Sequence, residues 1–305
     1  MPNPAMRSTN PVAPKPLGPV TGALFATLLA GCASAGGCES AKFTSERTSK
    51  LTAAAESSFR IENQVGDVKV VADPSATEVT MELTFIGKGA TQAKADEALN
   101  EINFAVTDPP GDTGVTARAK HPTNSGWNNK QWEVRWVVTA PPGVKIEVTD
   151  DVGEVTVVGF NNGANVSTDV GDVRIVGVMG GVTVKTEVGD ATVNAQGPAT
   201  VTTNVGDVRL ELIGPPGAAD AFKAQSDVGN VHVIVPTAWS GNVTGGSDVG
   251  SVKTSIPGLA TRGDSGSGAR LAGRIGSGAS STSATIKADV GSITIEQRDV
   301  ARATN

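Results

Sequence analysis

The residues of this chain that could carry chemistry are acidic and flank a repeated Val-Gly pair. The acidic residues before the pair are Asp151, Asp169 and Glu187, and those after it are Glu154, Asp172, Asp190 and Asp207. Carboxylates repeated in this way could bind Ca²⁺, which takes several carboxylate oxygens in loose geometry. They could also serve as paired acid and base groups, or accept hydrogen bonds from backbone amides beside the glycine.

The elements that must position these carboxylates form a repeat. The Val-Gly phrase, defined as Val-Gly followed by any residue and then Val, Ala or Ile, occurs eight times. Its glycines are Gly66, Gly153, Gly171, Gly189, Gly206, Gly229, Gly250 and Gly291. The four central glycines, from Gly153 to Gly206, are spaced by 18, 18 and 17 residues. A fixed period of this size is the signature of stacked supersecondary units.

Alternation within each copy predicts a strand that leads into the glycine. Val166, Thr168 and Val170 lie on one parity, and we expect all three to face inward. Val170 and Val173 are three residues apart rather than two, so a corner must lie between them, and glycine tolerates the backbone angles of a corner. Because one such coil cannot bury its apolar face alone, the coils must stack. The sequence therefore predicts an all-β fold, a parallel β-solenoid or two-sheet β-roll, with one short helical insertion.

Stacking also predicts a column of small or hydroxylated residues beside the inward valines. Its members are Asp150, Thr168, Thr186, Thr203, Ser226, Ser247 and Ala288. The acidic residues would stack as well, at the strand spacing of about 4.8 Å, and such crowding is unfavourable unless a cation or a basic side chain compensates.

Two interpretations of the acidic columns follow. In the first, Ca²⁺ lies between the carboxylates, although the tandem Gly-Gly-x-Gly-x-Asp phrase of the nonapeptide calcium roll is absent. In the second, each carboxylate accepts hydrogen bonds from local amides, and Arg174, Lys185 and Arg209 compensate the charge. The second interpretation is favoured, and no other cofactor is expected.

The repeated Val-Gly-Asp-Val phrase also resembles a known family. An isolated upstream copy, a helical insertion and a Pro-Pro-Gly start of a strand at Pro141 accompany the repeats. This combination is similar to the bacterial candidate-adhesin β-strand-repeat family, DUF4097, over roughly residues 59–295. The resemblance implies a solenoid-like envelope protein of no established activity, and it brings no catalytic or binding residues.

The N-terminal segment is typical of an exported lipoprotein. Residues 1–31 contain Arg7 and Lys15, no acidic residue, and an apolar run from Leu17 to Ala30, as in a signal peptide. The segment ends in Leu-Ala-Gly before Cys32, which matches the bacterial lipobox. Acylation of Cys32 would supply the multiple chains, palmitate among them, that stable anchoring requires. An ordinary cleaved signal with a later site at residues 33–35 is the alternative.

Charge and cysteine use agree with export. Loss of residues 1–31 would change the net charge from −6 to −8, which argues against a nucleic-acid partner because phosphate binding needs a basic surface. With Cys32 acylated, only Cys38 remains, so no intramolecular disulfide could form. The predicted localisation is the bacterial cell envelope, in the outer membrane if the organism has two membranes, on its periplasmic or its surface face.

The predicted organisation has five parts. These are a signal peptide over 1–31, a flexible tether over 32–58, an N-terminal rung with a helix and a Trp-rich strand over 59–140, solenoid repeats over 141–297 and a polar tail over 298–305. The helix is expected from Thr91 to Ile102 because Ala95, Ala98, Leu99 and Ile102 follow helical spacing. The repeat at Asp289 is expected to form the last rung.

The aromatic residues offer a weaker indication of function. Trp132 and Trp136 share one face of the strand from Gln131, where core packing is favoured over carbohydrate stacking. Trp127, in a polar loop, is the better exposed candidate for a sugar contact.

We therefore expect a membrane-anchored, non-enzymatic envelope scaffold or adhesin-like binding lipoprotein. Its partner would be the membrane through its lipid, and an envelope protein or a polysaccharide through its faces; the oligomeric state is left open. The alternative is a carbohydrate-active enzyme of the polysaccharide lyase or hydrolase type on the same solenoid. That alternative is disfavoured because His121 and His232 lack metal-ligand spacing and no Gly-x-Ser-x-Gly elbow occurs.

Overall fold

The computed structural model describes residues 43–107, 114–120, 131–214, 221–263, 268–276 and 282–299. The predicted signal peptide, Cys32 and Cys38, Trp127 and His121 lie outside these residues. Within the described ranges the chain forms twenty-three strands and one helix. No helix in these ranges has the length and apolar character needed to cross a membrane.

The N-terminal third contains seven strands and the helix. They are β1 (Phe43–Ala54), β2 (Ser58–Val65), β3 (Val68–Ala72), β4 (Glu78–Gly89), α1 (Gln92–Glu101), β5 (Asn103–Thr107), β6 (Gly114–Lys120) and β7 (Gln131–Ala140).

Ten strands follow in the repeat region. They are β8 (Lys145–Val152), β9 (Val155–Val158), β10 (Ala164–Val170), β11 (Val173–Met179), β12 (Val182–Val188), β13 (Ala191–Gln196), β14 (Ala199–Val205), β15 (Val208–Leu212), β16 (Phe222–Val228) and β17 (Val231–Pro236). The C-terminal strands are β18 (Gly241–Val249), β19 (Val252–Thr254), β20 (Leu259–Arg262), β21 (Ala269–Ile275), β22 (Ser283–Val290) and β23 (Ile293–Arg298).

The strands form two sheets whose apolar faces pack against each other. The first sheet has the order β1-β4-β7-β3-β9-β11-β13-β15-β17-β23-β19, and the second has the order β20-β21-β18-β22-β16-β14-β12-β10-β8-β2-β6-β5. Each Val-Gly phrase joins a strand of the second sheet to a strand of the first, and we call such a pair a rung. Neighbouring rungs pair in parallel, residue against equivalent residue. The predicted all-β solenoid of two sheets is confirmed.

The apolar core lies between the two sheets and is built from alternate strand residues. Val166, Val184 and Val201 line it from the second sheet, and Val173 and Val193 line it from the first; each is at most 3% exposed. Because rungs are in register, each core valine stacks on the equivalent residue of the next rung, so one periodic pattern fills the interior of the repeat region.

The order of the C-terminal rungs differs from the order of the sequence. The rung β22/β23, which carries Asp289, lies between β16/β17 and β18/β19 rather than at the end. The prediction that it forms the last rung is therefore wrong. In sequence order, β18 and β19 come first and form the end rung. Strands β20 and β21 follow and pair antiparallel on the outer side of β18. The chain then returns to place β22 and β23 between that end rung and β16/β17. Sequence period alone cannot show such an insertion.

The folded part begins earlier than predicted. Residues 43–54, assigned to the flexible tether, form β1 and pair antiparallel along the full length of β4. Their low apolar content concealed the strand, because β1 is an edge strand that buries only one side: Ser45 and Ser49 are buried, but most of its neighbours are not.

The helix and the tryptophan strand cap this N-terminal end. Helix α1 begins at the N-cap Thr91, whose Oγ1 accepts a hydrogen bond from the Lys94 amide at 3.3 Å. It buries Ala95, Ala98 and Leu99, as its spacing predicted. Trp136 is 1% exposed, which confirms its assignment to the core, and Trp132 packs at the core margin.

Candidate functional site

The candidate site is the edge of the solenoid at which the eight Val-Gly corners stack. The valines of the corners pair from rung to rung, in the spatial order Val65, Val152, Val170, Val188, Val205, Val228, Val290 and Val249. The last seven are 45–52% exposed. We call these seven valines the valine stripe.

This exposure contradicts the sequence-based prediction for one residue of each strand. Val170 was expected to face inward with Val166 and Thr168, but it is 47% exposed, as are Val188 and Val205. The pairing register passes from Thr168–Thr186 directly to Val170–Val188 and skips the residue between them. The parity therefore changes before the valine rather than after the glycine, so the corner includes Val170 as well as Gly171.

The glycines that follow the valines are packed too closely for any side chain. A Cβ on Gly171 would lie 1.9 Å from the carbonyl oxygen of Gly153, and one on Gly189 would lie 2.1 Å from that of Gly171. Gly189 also has a φ of +146°, which side chains disfavour. A close approach to backbone repeats at every corner, so space requires glycine at all eight predicted positions. Conformation requires it as well at seven of them, because only Gly153 lacks a positive φ.

The peptide after each glycine is turned out of the parallel ladder. On either side of it the amides of Gly171 and Val173 donate to backbone carbonyls of the next rung, at 2.9 and 2.8 Å. The carbonyl oxygen of Gly171 instead accepts a hydrogen bond from a side chain, Thr186 Oγ1 of the next rung, at 3.3 Å. An interior polar group must find a partner of this kind because no water can replace the ladder bond.

Buried hydroxyl groups satisfy these carbonyl oxygens along the stack. Thr203 Oγ1 donates to Gly189 at 3.1 Å, Ser226 Oγ donates to Gly206 at 2.8 Å, and Ser247 Oγ donates to Gly291 at 2.7 Å. We call this set the inner polar column; its members are Asn63, Asp150, Thr168, Thr186, Thr203, Ser226, Ala288 and Ser247, each at most 3% exposed. The predicted inner column is thereby confirmed. In Thr186, Thr203, Ser226 and Ser247 the hydroxyl donates to a corner carbonyl oxygen. Among the described residues the Thr168 hydroxyl makes no hydrogen bond, and Ala288 has no donor to offer.

The amide of the same peptide points outward and is received by a carboxylate. The Asp190 amide donates to Asp172 Oδ1 and the Asp207 amide donates to Asp190 Oδ1, both at 2.8 Å. The Asn230 amide continues the series with Asp207 Oδ1 at 2.7 Å. These residues belong to the post-glycine column, which comprises Asp67, Glu154, Asp172, Asp190, Asp207, Asn230, Ser292 and Ser251.

Two members of this column were missed by sequence reasoning. Asp67 Oδ1 accepts from the Glu154 amide at 3.1 Å, and Asn230 Oδ1 accepts from the Ser292 amide at 3.0 Å. Both follow Val-Gly at the same position as the predicted acids, so the position itself was the available signal. Glu154 is one methylene longer, and its Oε1 accepts from Thr156 Oγ1 instead.

The post-glycine aspartates accept hydrogen bonds from backbone amides, as the favoured interpretation predicted, but the donors differ from those expected. Each donating amide belongs to the next rung and not to the turn of the aspartate itself, so each aspartate links two rungs. Among the described residues, no group of three or more His, Cys, Asp and Glu side chains has an arrangement that could hold a metal ion. Calcium binding along this edge stays the less favoured of the two hypotheses.

A second acidic column lies before the valines. This pre-valine column comprises Gln64, Asp151, Asp169, Glu187, Asn204, Asp227, Asp289 and Asp248. Burial raises the pKa of the Asp151 carboxyl, and the neighbouring Asp169 raises it further. Two members are paired: Asp289 with Lys287 at 2.5 Å and Asp248 with Arg270 at 3.0 Å.

One buried acid stands apart from both surface columns. Asp150 occupies the inner polar column at 1% exposure, and its Oδ1 accepts a hydrogen bond from Asn63 Nδ2 at 2.9 Å. Burial raises the pKa of this carboxyl to about 7 despite that bond, and the charges of Asp151, Asp67 and Asp169 raise it further. A carboxyl this deeply buried cannot reach a ligand on the surface.

Comparison with known families places this architecture. The profile of the family described as Toastrack DUF4097 matches residues 50–257, more than half of the chain. The chain belongs to the Toastrack family. The predicted resemblance is confirmed. The corner also explains the repeated Val-Gly-Asp-Val phrase of this chain: the glycine leaves room for the backbone of the neighbouring rung, and the aspartate accepts a hydrogen bond from an amide of that rung.

Two solved structures are similar to this Toastrack chain. A candidate adhesin from Bacteroides fragilis is 16% identical, with a TM-score of 0.42, over 82% of this chain and 97% of that one. A candidate cell adhesion protein from Clostridium sporogenes is 14% identical, with a TM-score of 0.32, over 83% of this chain and 100% of that one. No curated protein matches the chain.

Proposed function

We propose that this Toastrack protein is a lipid-anchored, non-enzymatic scaffold of the bacterial envelope that binds partners along its repeated surfaces. The observation that carries the proposal is the register of the rungs: equivalent surface residues stack into straight columns along the whole solenoid. A surface built in this way offers the same contact many times in one direction, which suits an extended partner better than a small substrate.

The use of the carboxylates supports a non-enzymatic role. Asp172, Asp190 and Asp207 each commit one oxygen to an amide of the next rung, so their positions are explained by the fold. The acid with the most perturbed pKa, Asp150, is enclosed in the core rather than placed in a cleft. A hydrolase or lyase would need such a group within reach of its substrate.

The lipobox supports the anchoring part of the proposal. Ten residues separate Cys32 from the first strand at Phe43, so an acylated Cys32 would hold the solenoid close to the membrane surface. Intact mass of the protein purified from membranes tests this, beside a Cys32→Ala variant. We expect an N-terminus at Cys32 with added acyl mass, which the variant lacks; an unmodified N-terminus further along the chain would refute the anchor.

Turnover assays test the non-enzymatic part. We expect no activity on envelope or extracellular polysaccharides. Activity that is lost on changing Asp169 and Asp172 to Asn would overturn it, because Asn keeps the shape and removes the acid. Protease treatment of intact cells would then distinguish a surface-exposed adhesin from a periplasmic scaffold.

A further inference from the structure

The valine stripe is an apolar surface that the fold itself does not explain. The corner requires the glycine for close packing and the aspartate for its amide, but the valine side chain points to solvent at roughly half exposure in seven successive rungs. At a strand spacing of about 4.8 Å the stripe is about 29 Å long. A contiguous apolar strip with a polar rim marks an interaction site on a soluble domain.

Charge surrounds this stripe on both sides. Beside the seven valines, ten of the fourteen positions in the pre-valine and post-glycine columns are Asp or Glu, and none is basic. Within the described residues, neither Asp169 nor Glu187 in the first column, and neither Asp172 nor Asp190 in the second, makes a salt bridge. The surface is therefore a lane of valines between two flanking lanes. The pre-valine lane is acidic in six of the seven rungs, and the post-glycine lane is acidic in the four rungs from Val152 to Val205.

We propose that the valine stripe with its two acidic columns is the docking surface for a basic amphipathic helix of a partner protein. Such a helix carries a narrow apolar stripe with Lys or Arg on both of its flanks, which matches the three lanes in order and in charge. At 1.5 Å per residue, a stripe of this length accommodates about 19 residues of helix. This inference rests on the proposed binding role and names the class of partner.

Other occupants match the three lanes less well. An extended strand points successive side chains to opposite faces, so it cannot place basic residues on both sides of one apolar row. A second copy of this chain would bring acidic columns against acidic columns, and an anionic membrane surface would be repelled in the same way.

The test uses the full-length mature protein, held in nanodiscs of zwitterionic lipid if its N-terminus is acylated and free in buffer if it is not. Empty nanodiscs or buffer alone give the background. The probe is a fluorescent helical peptide of about 20 residues, with one leucine stripe flanked by lysines, titrated by anisotropy. A matched peptide carries glutamate in place of each lysine. We expect saturable binding of the lysine peptide that weakens with added salt, and at least tenfold weaker binding of the glutamate peptide.

Variants separate the apolar lane from the acidic lanes. The triple variant Val170→Thr, Val188→Thr and Val205→Thr keeps the β-branched shape and should bind at least tenfold more weakly. Val137→Thr, which changes a valine that is 46% exposed but lies outside the stripe, is the matched control and should bind as the wild type does. Melting temperature and circular dichroism verify that both proteins remain folded.

A second triple variant, Asp169→Asn, Glu187→Gln and Asp227→Asn, should also lose at least tenfold in affinity and most of the salt dependence.

The proposal is overturned if the lysine peptide does not bind, if both peptides bind equally, or if either triple variant binds like the wild type. A concentration-dependent dimer that disappears in the valine variant, without peptide binding, would assign the stripe to a second copy. The anchor of the proposed function is judged separately by the mass at Cys32, so the two can fail independently.

Discussion

Replacement of Asp150 should stabilise the protein, and it should do so more strongly as the pH rises. Asp150 is 1% exposed, and among the described residues its Oδ2 has no hydrogen-bond partner. The equivalent position in the next three rungs is threonine. The Asp150→Asn variant preserves the shape and the bond with Asn63 while it removes the charge, and Asp150→Thr restores the residue type of the column.

The magnitude follows from the pKa. The carboxyl has a pKa of about 7 in the folded protein, because burial opposes its ionisation, and 3.8 in a solvated chain. Between these values the folded state holds a proton that the unfolded state has lost, so the free energy of unfolding falls as the pH rises. At about 1.36 kcal/mol per pKa unit, the full loss is about 4 kcal/mol, reached above the folded pKa and absent below the unfolded one.

The measurement is urea unfolding of the wild type, Asp150→Asn and Asp150→Thr between about pH 4 and pH 8.5. We expect the variants to gain stability relative to the wild type across this range, with a plateau above about pH 7. Glu78→Gln, a change at an exposed carboxylate, is the control and should give no such trend.

Other acids change the free energy of unfolding with pH in the opposite direction, but their contribution cancels when a variant is compared with the wild type. The pKa of Glu62 is lowered by a hydrogen bond from Arg118, and that of Glu147 by one from Arg60, so both stabilise the fold above their unfolded pKa and lose this effect in acid. They are common to every variant. A difference between the Asp150→Asn variant and the wild type that is constant with pH, or that shrinks as the pH rises, would refute the assignment of a buried, desolvated acid.

The remaining predictions concern the glycine corner, its hydrogen-bond partners and Ca²⁺. Thr203→Val should lower the free energy of unfolding by about 1–3 kcal/mol, because it leaves a buried carbonyl oxygen without its donor. Thr168→Val in the same column should be nearly neutral, since among the described residues the Thr168 hydroxyl makes no hydrogen bond; equal losses in urea unfolding would contradict the role of the column. Gly189→Ala should lower the free energy of unfolding by about 3 kcal/mol or more, because the new Cβ would lie 2.1 Å from a backbone oxygen. Gly181→Ala is the control: its Cβ has open space, so the free energy of unfolding should change by no more than about 0.5 kcal/mol. Similar melting temperatures for the two variants would contradict the packing argument. Asp190→Ala should lose about 1 kcal/mol with the inter-rung amide bond, and Asp190→Asn should lose little because an asparagine oxygen can accept the same bond; the reverse order would point to charge as the important property. Finally, the melting temperature should be the same in excess chelator and in millimolar Ca²⁺, and a clear rise with Ca²⁺ would instead support a calcium edge.

The candidate site could be predicted in outline but not in its chemistry. The position of the acids beside the glycine was evident in each copy, and the hydrogen-bonding interpretation of Asp172, Asp190 and Asp207 was the favoured one. That each carboxylate accepts a hydrogen bond from the neighbouring rung could not be seen, because the donating amide is 17 to 23 residues away in sequence and adjacent only after stacking. The valine stripe was missed for a related reason: Val170 fits the alternation of its strand, and only the bulge at the corner turns it outward.

The sequence by itself determined the stacked fold, since glycines at a fixed spacing and alternating valines allow no other way to bury the apolar residues. It also determined the inner polar column and the helix that covers one end. The tertiary structure decided which rungs are neighbours, and placed the rung of Asp289 between those of Asp227 and Asp248. It also decided that β1 belongs to the folded body and that the corner valines face solvent. The physical reason is common to these three: equivalent rungs have nearly the same local sequence, so local pattern specifies what a rung is, whereas pairing between distant strands specifies where it lies and what it exposes.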